Sequence, residues 1–252
     1  MKIGDIEVPS LKGVVSEEEW QTRVDLAALY RMVPIMGWDD CSMTHATAKV
    51  PNEDAYLINA NTLLFEEITP SSLIKIDRDG KPIGDQPLEP IDEGWIPMSA
   101  AHLAREDIAF CMHMHEVYGA AVSIQEEGLL PISQHACVIR SYIGYHDYDG
   151  VETNPDAVPA LQESLGDNLG LIMRNHGLIT GGWDAPMCFM AMHMLQSACK
   201  IQILAQAGGG KLIQMKQDDQ DKLALEAIRG QGNKVWPGIL RKLERLDPGW
   251  CV

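Results

Sequence analysis

Three histidines stand in two short apolar stretches, and their spacing favours metal chemistry. His113 and His115 lie two residues apart in residues 110–115, which we predict to be a short buried strand. Because a strand alternates faces, the two imidazoles point the same way. Neutral imidazole is a good ligand for zinc, iron, nickel and copper. Two ordinary histidines, each satisfied by a hydrogen bond, are the alternative for the pair alone. His176, in a second apolar stretch at residues 172–177, strengthens the metal prediction.

The surrounding pattern predicts strands that alternate with helices. Ser16 and Glu19 form a capping-box signature, so a helix begins there and ends near Pro34 or Gly37. Further helices are predicted at residues 98–107, 117–126, from 154 onward, 184–207, 217–229 and 236–246. Strands are predicted in the second half of 37–50 and at residues 56–59, 72–77, 110–115, 136–139, 169–173 and 178–182. This order indicates a layered α/β domain followed by a helical tail.

The chain of 252 residues is long enough to bury one sizeable core. We predict a lead-in at residues 1–15 and the main domain at residues 16–210. Residues 211–252 are predicted to form a helical tail that packs on the same domain or on a neighbouring subunit.

Composition and charge exclude several classes of function. The formal net charge of −16 argues against nucleic acid and acidic membranes as partners, because their phosphates would be repelled. The sequence contains no apolar run of about 18 residues that would cross a membrane. Its first residues lack the pattern of a signal peptide, so we expect a cytoplasmic protein. The six cysteines are scattered singly and are predicted to be buried reduced thiols.

Several stretches of the sequence resemble a known family. Each stretch alone is a weak signal, but their order and spacing together are specific. They are residues 57–59 (LIN), 64–69 (LFEEIT), 72–77 (SLIKID), 113–115 (HMH), 130–134 (LPISQ), 147–150 (DYDG) and 174–181 (RNHGLITG). Through these stretches the chain resembles the class II aldolase/adducin N-terminal domain family, from about Glu19 to Ala207. The tail at residues 236–243 is similar to the adducin-head-like branch.

The resemblance implies a fold, an assembly and a metal site. It implies a three-layer α/β/α sandwich of the class II aldolase type with a helical C-terminal tail. It also implies a homotetramer with active sites between subunits. One divalent metal ion per subunit would be held by His113, His115 and His176, with zinc expected first and manganese or iron as alternatives. Three imidazoles leave coordination positions open for substrate or water, as a catalytic site requires.

Two departures from the family pattern bear on the substrate. The sugar-phosphate aldolases hold phosphate with a Gly-Asn-x-Ser loop, and the matching residues here are Thr44, His45, Ala46 and Thr47. A phosphorylated sugar is therefore not the expected substrate. The aldolases also carry a glutamate that serves as metal ligand and acid/base, and our alignment places Met98 there. A thioether carries no transferable proton, so the proton must come from elsewhere.

The candidate catalytic residues are His45, Glu116 and Tyr148, each with a plainer alternative. Glu116 directly follows a predicted ligand and therefore faces away from it on a strand, which favours a structural or interface charge. Core packing is the alternative for Tyr148.

The candidate substrate-binding residues are His45, Thr47, Lys49 and Arg174. Lys49 or His45 would hold a second carboxylate of the substrate, and Arg174 would bind a carboxylate. Lys49 would otherwise be a solvated charge at a strand end. Arg174 would otherwise pair with an acidic neighbour.

The predicted function is that of a metal-dependent carbon–carbon lyase acting on a small, non-phosphorylated hydroxy-acid. The reaction would be decarboxylation of a hydroxylated aromatic carboxylate or retro-aldol cleavage. One alternative is a non-haem iron oxygenase on the same scaffold, because three histidines also suit Fe(II). The other alternative is a non-catalytic adducin-like oligomerisation module, which the replacement at Met98 favours and the three retained histidines oppose.

Overall fold

The structure is a computed structural model that describes residues 2–3, 5–150, 154–220, 222 and 225–251. Its helices are α1 (Glu17–Met36), α2 (Asp92–Ala104), α3 (Val117–Ser123), α4 (Gln134–Ile139), α5 (Val158–Leu165), α6 (Ala185–Ala207), α7 (Gln217–Gln220) and α8 (Leu225–Leu246). Its strands are β1 (Lys2–Ile3), β2 (Ile6–Glu7), β3 (His45–Lys49), β4 (Tyr56–Ile58), β5 (Ile74–Ile76), β6 (Phe110–Met114), β7 (Ile143–His146), β8 (Gly170–Met173) and β9 (Gly177–Gly182).

Seven strands of the described residues form one mixed sheet in the order β5-β4-β3-β6-β9-β8-β7. Neighbouring strands are antiparallel except β7 and β8, which are parallel. The central strand is β6, and all five of its residues are buried. A strand covered on both faces needs apolar residues at nearly every position, which accounts for the run around His113.

Helices cover the sheet in two groups, which gives the three-layer α/β/α sandwich expected from the resemblance. In one group α2 and α5 contact each other, with α2 on β3 and β6 and α5 on β7 and β8. In the other group α6 lies on β6 and β9 and contacts α1, α3, α4 and α8. Among the described residues, no helix has both the length and the apolar character needed to cross a bilayer.

Helix α1 and strand β5 share a largely buried group of charges, which we call the charge cluster and define as Glu19, Arg23 and Lys75. The Ser16 side chain accepts a hydrogen bond from the Glu19 amide at 3.1 Å, so the predicted cap is confirmed. The Glu19 carboxylate accepts hydrogen bonds from Arg23 Nε at 2.8 Å and from Lys75 Nζ at 2.9 Å. Arg23 Nη1 also donates to the Leu73 carbonyl at 2.8 Å. This cluster ties α1 to β5 and the turn before it.

Some predicted elements differ from those observed. Residues 136–139 were predicted as a strand from their apolar run, and this is wrong: they lie in α4. The Ser133 side chain caps that helix by accepting a hydrogen bond from the Ala136 amide at 3.1 Å. Strand β7 was not predicted. Helix α2 begins at Asp92, before the predicted start near Met98.

The predicted pair of C-terminal helices is also wrong, because one helix, α8, runs from Leu225 to Leu246 with Pro237 inside it. Trp236, Ile239 and Leu243 are buried on its inner face, and this packing outweighs the cost of the proline. Of the first predicted helix, residues 217–220 form α7, and residues 221, 223 and 224 lie outside the described part of the chain. The division into lead-in, domain and tail stays a prediction.

The cysteines are all free, as expected, but they are not all buried. Cys111, Cys137, Cys188 and Cys199 are buried, whereas Cys41 is exposed and Cys251 is partly exposed.

Candidate metal centre

The three predicted ligands converge on one point, and we call His113, His115 and His176 the histidine cluster. The Nε2 atom of His115 lies 2.8 Å from Nε2 of His113 and 2.8 Å from Nε2 of His176. The remaining pair, His113 and His176, is 3.2 Å apart at the same atoms. The alternation of β6 therefore puts two imidazoles on one face, as predicted, and the third arrives from a distant part of the chain.

The third histidine is placed by the hairpin that joins β8 to β9. Residues 174–176 form its loop, and Asn175 takes a left-handed conformation with φ of 59°. Asparagine tolerates this region better than most residues. At the next position, Gly177, an added Cβ would lie 2.4 Å from the Met114 carbonyl oxygen. A glycine is needed there for β9 to approach the end of β6, and this approach brings His176 to the other two rings.

Hydrogen bonds behind two of the rings orient them. Nδ1 of His113 lies 3.0 Å from the Leu178 carbonyl oxygen, so this nitrogen carries the proton and donates it. Nδ1 of His115 lies 3.3 Å from a carboxylate oxygen of Asp40. In both rings Nε2 is then left as a lone-pair acceptor that faces the centre of the cluster.

These acceptors fit a divalent cation. Two lone pairs 2.8 Å apart repel each other unless something positive lies between them, and a shared proton would satisfy only one pair. Nitrogen ligands at about 2.0–2.1 Å from a metal stand roughly 3.0 Å apart at right angles and roughly 3.4 Å apart in a tetrahedron. The observed separations of 2.8–3.2 Å are close to that range. Burial lowers the pKa of His113 well below its ordinary value, and the neighbouring imidazoles lower it further. A neutral ring is the form that binds metal.

His45 lies beside this centre. It pairs with His113 across β3 and β6, and the two ring centroids are 6.4 Å apart. Its side chain is buried, and Nδ1 has no hydrogen-bond partner among the described residues. Burial, followed by the nearby His115 and His176, lowers the pKa of His45 to about 4. His45 is therefore a neutral imidazole at physiological pH.

The other two candidates on β3 are engaged with α2. The Thr47 hydroxyl lies 2.8 Å from Nε2 of His102, whose Nδ1 faces the Ile108 carbonyl oxygen at 3.2 Å. Lys49 Nζ donates to the Arg105 carbonyl at 2.7 Å, just after α2 ends. These contacts place both side chains against the helix, away from His113 along the strand.

Two further candidates, Tyr148 and Arg174, lie near His176. Tyr148 is 63% exposed, and its ring centroid is 6.3 Å from that of His176, so it stands at the mouth of the histidine cluster. Arg174 donates to the Gln125 carbonyl and lies over the Tyr145 ring at 4.5 Å, and it lines one small cavity together with Tyr148 and His176.

Glu116 caps α3. Its carboxylate accepts hydrogen bonds from the amides of Tyr118 at 2.9 Å and Gly119 at 3.2 Å. Burial raises the pKa of Glu116, although these amides and Lys200 oppose the shift. Glu116 also lines a separate cavity of about 310 Å³ beside α6.

Two residues near the centre were missed by the sequence reasoning. Asp40 supports His115, and Gly94 of α2 lies against the His45 ring. Met98, one helical turn after Gly94, is completely buried. The only sequence signal for Asp40 was its place in a polar stretch shortly before β3.

Comparison with known proteins gives a consistent result. The family described as Class II Aldolase and Adducin N-terminal domain matches residues 24–203. A provisionally named aldolase class 2 protein of Pseudomonas aeruginosa is 44% identical over 243 residues, which is 94% of each chain. Alpha-adducin of Mus musculus is 38% identical over 193 residues, which is 74% of this chain and 26% of adducin.

Solved structures agree with the fold. An aldolase II superfamily protein from Pseudomonas syringae has a TM-score of 0.89 at 38% identity and covers 96% of this chain and 98% of its own. L-fuculose 1-phosphate aldolase from Glaciozyma antarctica has a TM-score of 0.79 at 24% identity, covers 95% of this chain and 94% of its own, and supports the fold alone.

Proposed function

This chain belongs to the class II aldolase and adducin N-terminal domain family, and we propose that it is a metal-dependent carbon–carbon lyase acting on a small, non-phosphorylated hydroxy-acid. The observation that carries the proposal is the convergence of three imidazole Nε2 atoms within 2.8–3.2 Å of one another. A structural protein has no need to bring three imidazole nitrogens so close together, because nitrogens at this distance repel each other unless a cation lies between them.

His113, His115 and His176 would hold one divalent ion per subunit, with zinc expected first and manganese or iron as alternatives. When bound, the ion supplies a Lewis acid that polarises a hydroxy-carbonyl or hydroxy-carboxylate unit. Asp40 keeps the His115 ring turned toward the centre, and the Leu178 carbonyl does the same for His113.

The proposed reaction needs a group that moves a proton. In retro-aldol cleavage a base removes the substrate hydroxyl proton as the carbon–carbon bond breaks, and an acid returns a proton to the carbon that keeps the electron pair. In decarboxylation only the second transfer is needed. His45 and Tyr148 are the candidates beside the histidine cluster, one buried and one at its mouth. We propose that His45 contacts the substrate and that the Tyr148 hydroxyl exchanges the proton.

The placement of the basic side chains supports a substrate without phosphate. Lys49 donates to main-chain carbonyls at the end of α2, and Arg174 donates to main-chain carbonyls after α3. Lys49 lies away from the histidine cluster along β3, and the guanidinium of Arg174 already donates to two main-chain carbonyls. His45 is then the group in place to receive a second carboxylate or hydroxyl of the substrate.

A screen of purified protein tests the proposal. Hydroxylated aromatic acids are assayed for carbon dioxide release, and aldol substrates are assayed for cleavage, each with and without a chelator. We expect turnover with one class, dependence on metal and no oxygen uptake. Stoichiometric oxygen consumption with bound iron would replace the lyase by the oxygenase alternative.

The proposal includes a homotetramer with active sites between subunits, as the family resemblance implies, in a protein that we expect in the cytoplasm. Sedimentation velocity measures the assembly, and four chains per particle is the expected result. A monomer would overturn this part alone.

A second candidate is an adducin-like oligomerisation module without catalysis, which the 38% identity to alpha-adducin of Mus musculus favours. Metal analysis separates the two. A module would purify without stoichiometric metal and would assemble normally as His113→Ala.

A further inference from the structure

The polar face of β3 runs along helix α2, and each of its side chains meets the helix differently. Lys49 donates to the carbonyl of Arg105, and Thr47 bonds His102. Both side chains are therefore turned toward α2. His45, at the end of the strand nearest the histidine cluster, meets a residue without a side chain, Gly94.

The space at Gly94 is filled by the imidazole of His45. A Cβ added there would lie 2.8 Å from Cγ and 2.9 Å from Cδ2 of that ring, closer than such atoms can approach. The added Cβ would also lie 2.9 Å from Cγ2 of Ile91. A small rotation of the helix away from the His45 ring would therefore not relieve both close contacts. Glycine is a poor helix former, so Gly94 lowers the stability of α2. The contact with His45 explains why a glycine is nevertheless present.

The His45 ring has few alternatives to this location. It is 6% exposed, and its neighbour across the strands is His113. Its Nδ1 atom is buried without a hydrogen-bond partner in the described part of the chain. Buried polar atoms normally have a partner, so an unpartnered one beside a cluster of metal-binding type indicates that a ligand group completes it.

We propose that Gly94 determines the substrate class of this site: the space left by its missing side chain holds the His45 imidazole beside His113, so that the polar group facing a bound hydroxy-acid comes from β3 and not from α2. Gly94 is a positioning residue, and His45 is the residue that contacts the ligand. This inference rests on the proposed function, because it concerns the same site. The recognised group is a carboxylate or hydroxyl that takes one hydrogen bond from this ring.

A double-mutant cycle tests the contact in metal-stripped protein. Thermal unfolding is measured for wild type, Gly94→Ala, His45→Ala and the double variant. We expect Gly94→Ala to lower the midpoint by roughly 3–8 °C in the wild-type background, because the added methyl group overpacks the ring. The same substitution should cost much less in the His45→Ala background, where the ring is gone. Gly230→Ala is the matched control, since a Cβ on that helical glycine meets nothing within 4 Å.

Ligand binding tests the specificity. Glycolate serves as the hydroxy-acid probe and 2-phosphoglycolate as its phosphate counterpart, each titrated by calorimetry into zinc-loaded protein. We expect His45→Ala and Gly94→Ala each to weaken glycolate roughly three- to tenfold, and the double variant to be no weaker than His45→Ala alone. Zinc affinity should stay unchanged in all three, and 2-phosphoglycolate should bind wild type no more tightly than glycolate.

The inference is overturned if Gly94→Ala costs the same midpoint shift with and without His45, or if it leaves glycolate affinity at the wild-type value. Tighter binding of 2-phosphoglycolate to wild type would also overturn it. Wild-type protein that binds no zinc would refute the proposed function and the specificity with it. If the protein binds zinc but the effects of Gly94→Ala and His45→Ala are additive, the present inference is refuted and the proposed function is not.

Discussion

Two polar clusters of this molecule are built on opposite principles. In the charge cluster, the Glu19 carboxylate lies between two cations, Arg23 and Lys75. Burial alone would raise the pKa of Glu19, but the hydrogen bonds from Lys75 and Arg23 outweigh it, and its pKa is lowered. In the histidine cluster, groups of one kind face each other at 2.8–3.2 Å, and neighbouring imidazoles lower the pKa of His113 in the same direction as burial.

The difference indicates what each cluster is for. The charge cluster is satisfied within the protein, since Lys75 also pairs with Glu53 at 2.5 Å and the carbonyls of Pro70 and Leu73 accept hydrogen bonds from Arg23. It stabilises the junction of α1 and β5. In the proposed function, the histidine cluster is completed by a cation from outside the chain. A polar cluster whose members satisfy one another is structural. A polar cluster that needs a ligand from outside the chain marks a binding site.

The largest expected effect is on metal binding. His113→Ala should reduce metal affinity by more than about 100-fold and abolish turnover, because two imidazoles remain for a cation that needs at least three protein ligands in a catalytic site. Competition with a chromophoric chelator measures the affinity. His135→Ala, a histidine outside the cluster, is the control and should bind metal as wild type does. Equal affinity of the two variants would contradict the assignment.

The next effect is on stability and leaves the metal untouched. Arg23→Ala should lower the free energy of unfolding by about 3–5 kcal/mol, because Glu19 stays buried with one partner fewer. Urea denaturation measures it. Arg78→Ala removes an exposed pair with Asp54, in which both side chains are more than 60% exposed, and should cost at most about 1 kcal/mol. Loss of stoichiometric metal in Arg23→Ala would show that the two clusters are not independent.

A smaller effect is expected behind the metal ligands. Asp40→Asn should weaken metal affinity by roughly tenfold, because the carboxylate that orients His115 is partly exposed and lies at 3.3 Å. Asp39→Asn removes an equal charge at the next residue, which is exposed, and should leave the affinity unchanged. If both variants lose affinity equally, the effect of Asp40 is general electrostatics and not orientation.

The smallest effect is a pH dependence. The folded pKa of Glu19 lies below its unfolded value, so its contribution is complete above the unfolded pKa of about 4.3 and is lost as the pH falls through the folded pKa. Between about pH 5 and pH 3 the melting temperature of wild type should therefore fall more steeply than that of Glu19→Gln. Glu18→Gln, at an exposed neighbouring position, should retain the wild-type slope. Parallel slopes for wild type and Glu19→Gln would contradict this account of the charge cluster.

Local signals in the sequence predicted the parts of the site that depend on local structure. Strand alternation was enough to put His113 and His115 on one face, and the resemblance added His176. The roles of Asp40 and Gly94 depend on contacts between distant segments. Asp40 reaches His115 because β3 begins beside the end of β6, and Gly94 matters only because α2 packs along β3. The pattern of residues along the sequence does not reveal how β3 is aligned with β6 and α2.

The errors in the fold have the same origin. The apolar residues 136–139 suit a strand locally, but capping by Ser133 and packing on α6 make them helical. Pro237 suggests a break, but burial of Trp236 and Leu243 keeps α8 continuous. In both places tertiary packing outweighed local propensity.

The most direct measurement is X-ray absorption spectroscopy of the purified protein, with metal content determined on the same sample. The account predicts about one divalent ion per chain, surrounded by three imidazole nitrogens at about 2.0–2.1 Å, with one nitrogen lost in His176→Ala. A protein that binds no metal, or a metal whose ligands are unchanged in His176→Ala, would contradict it.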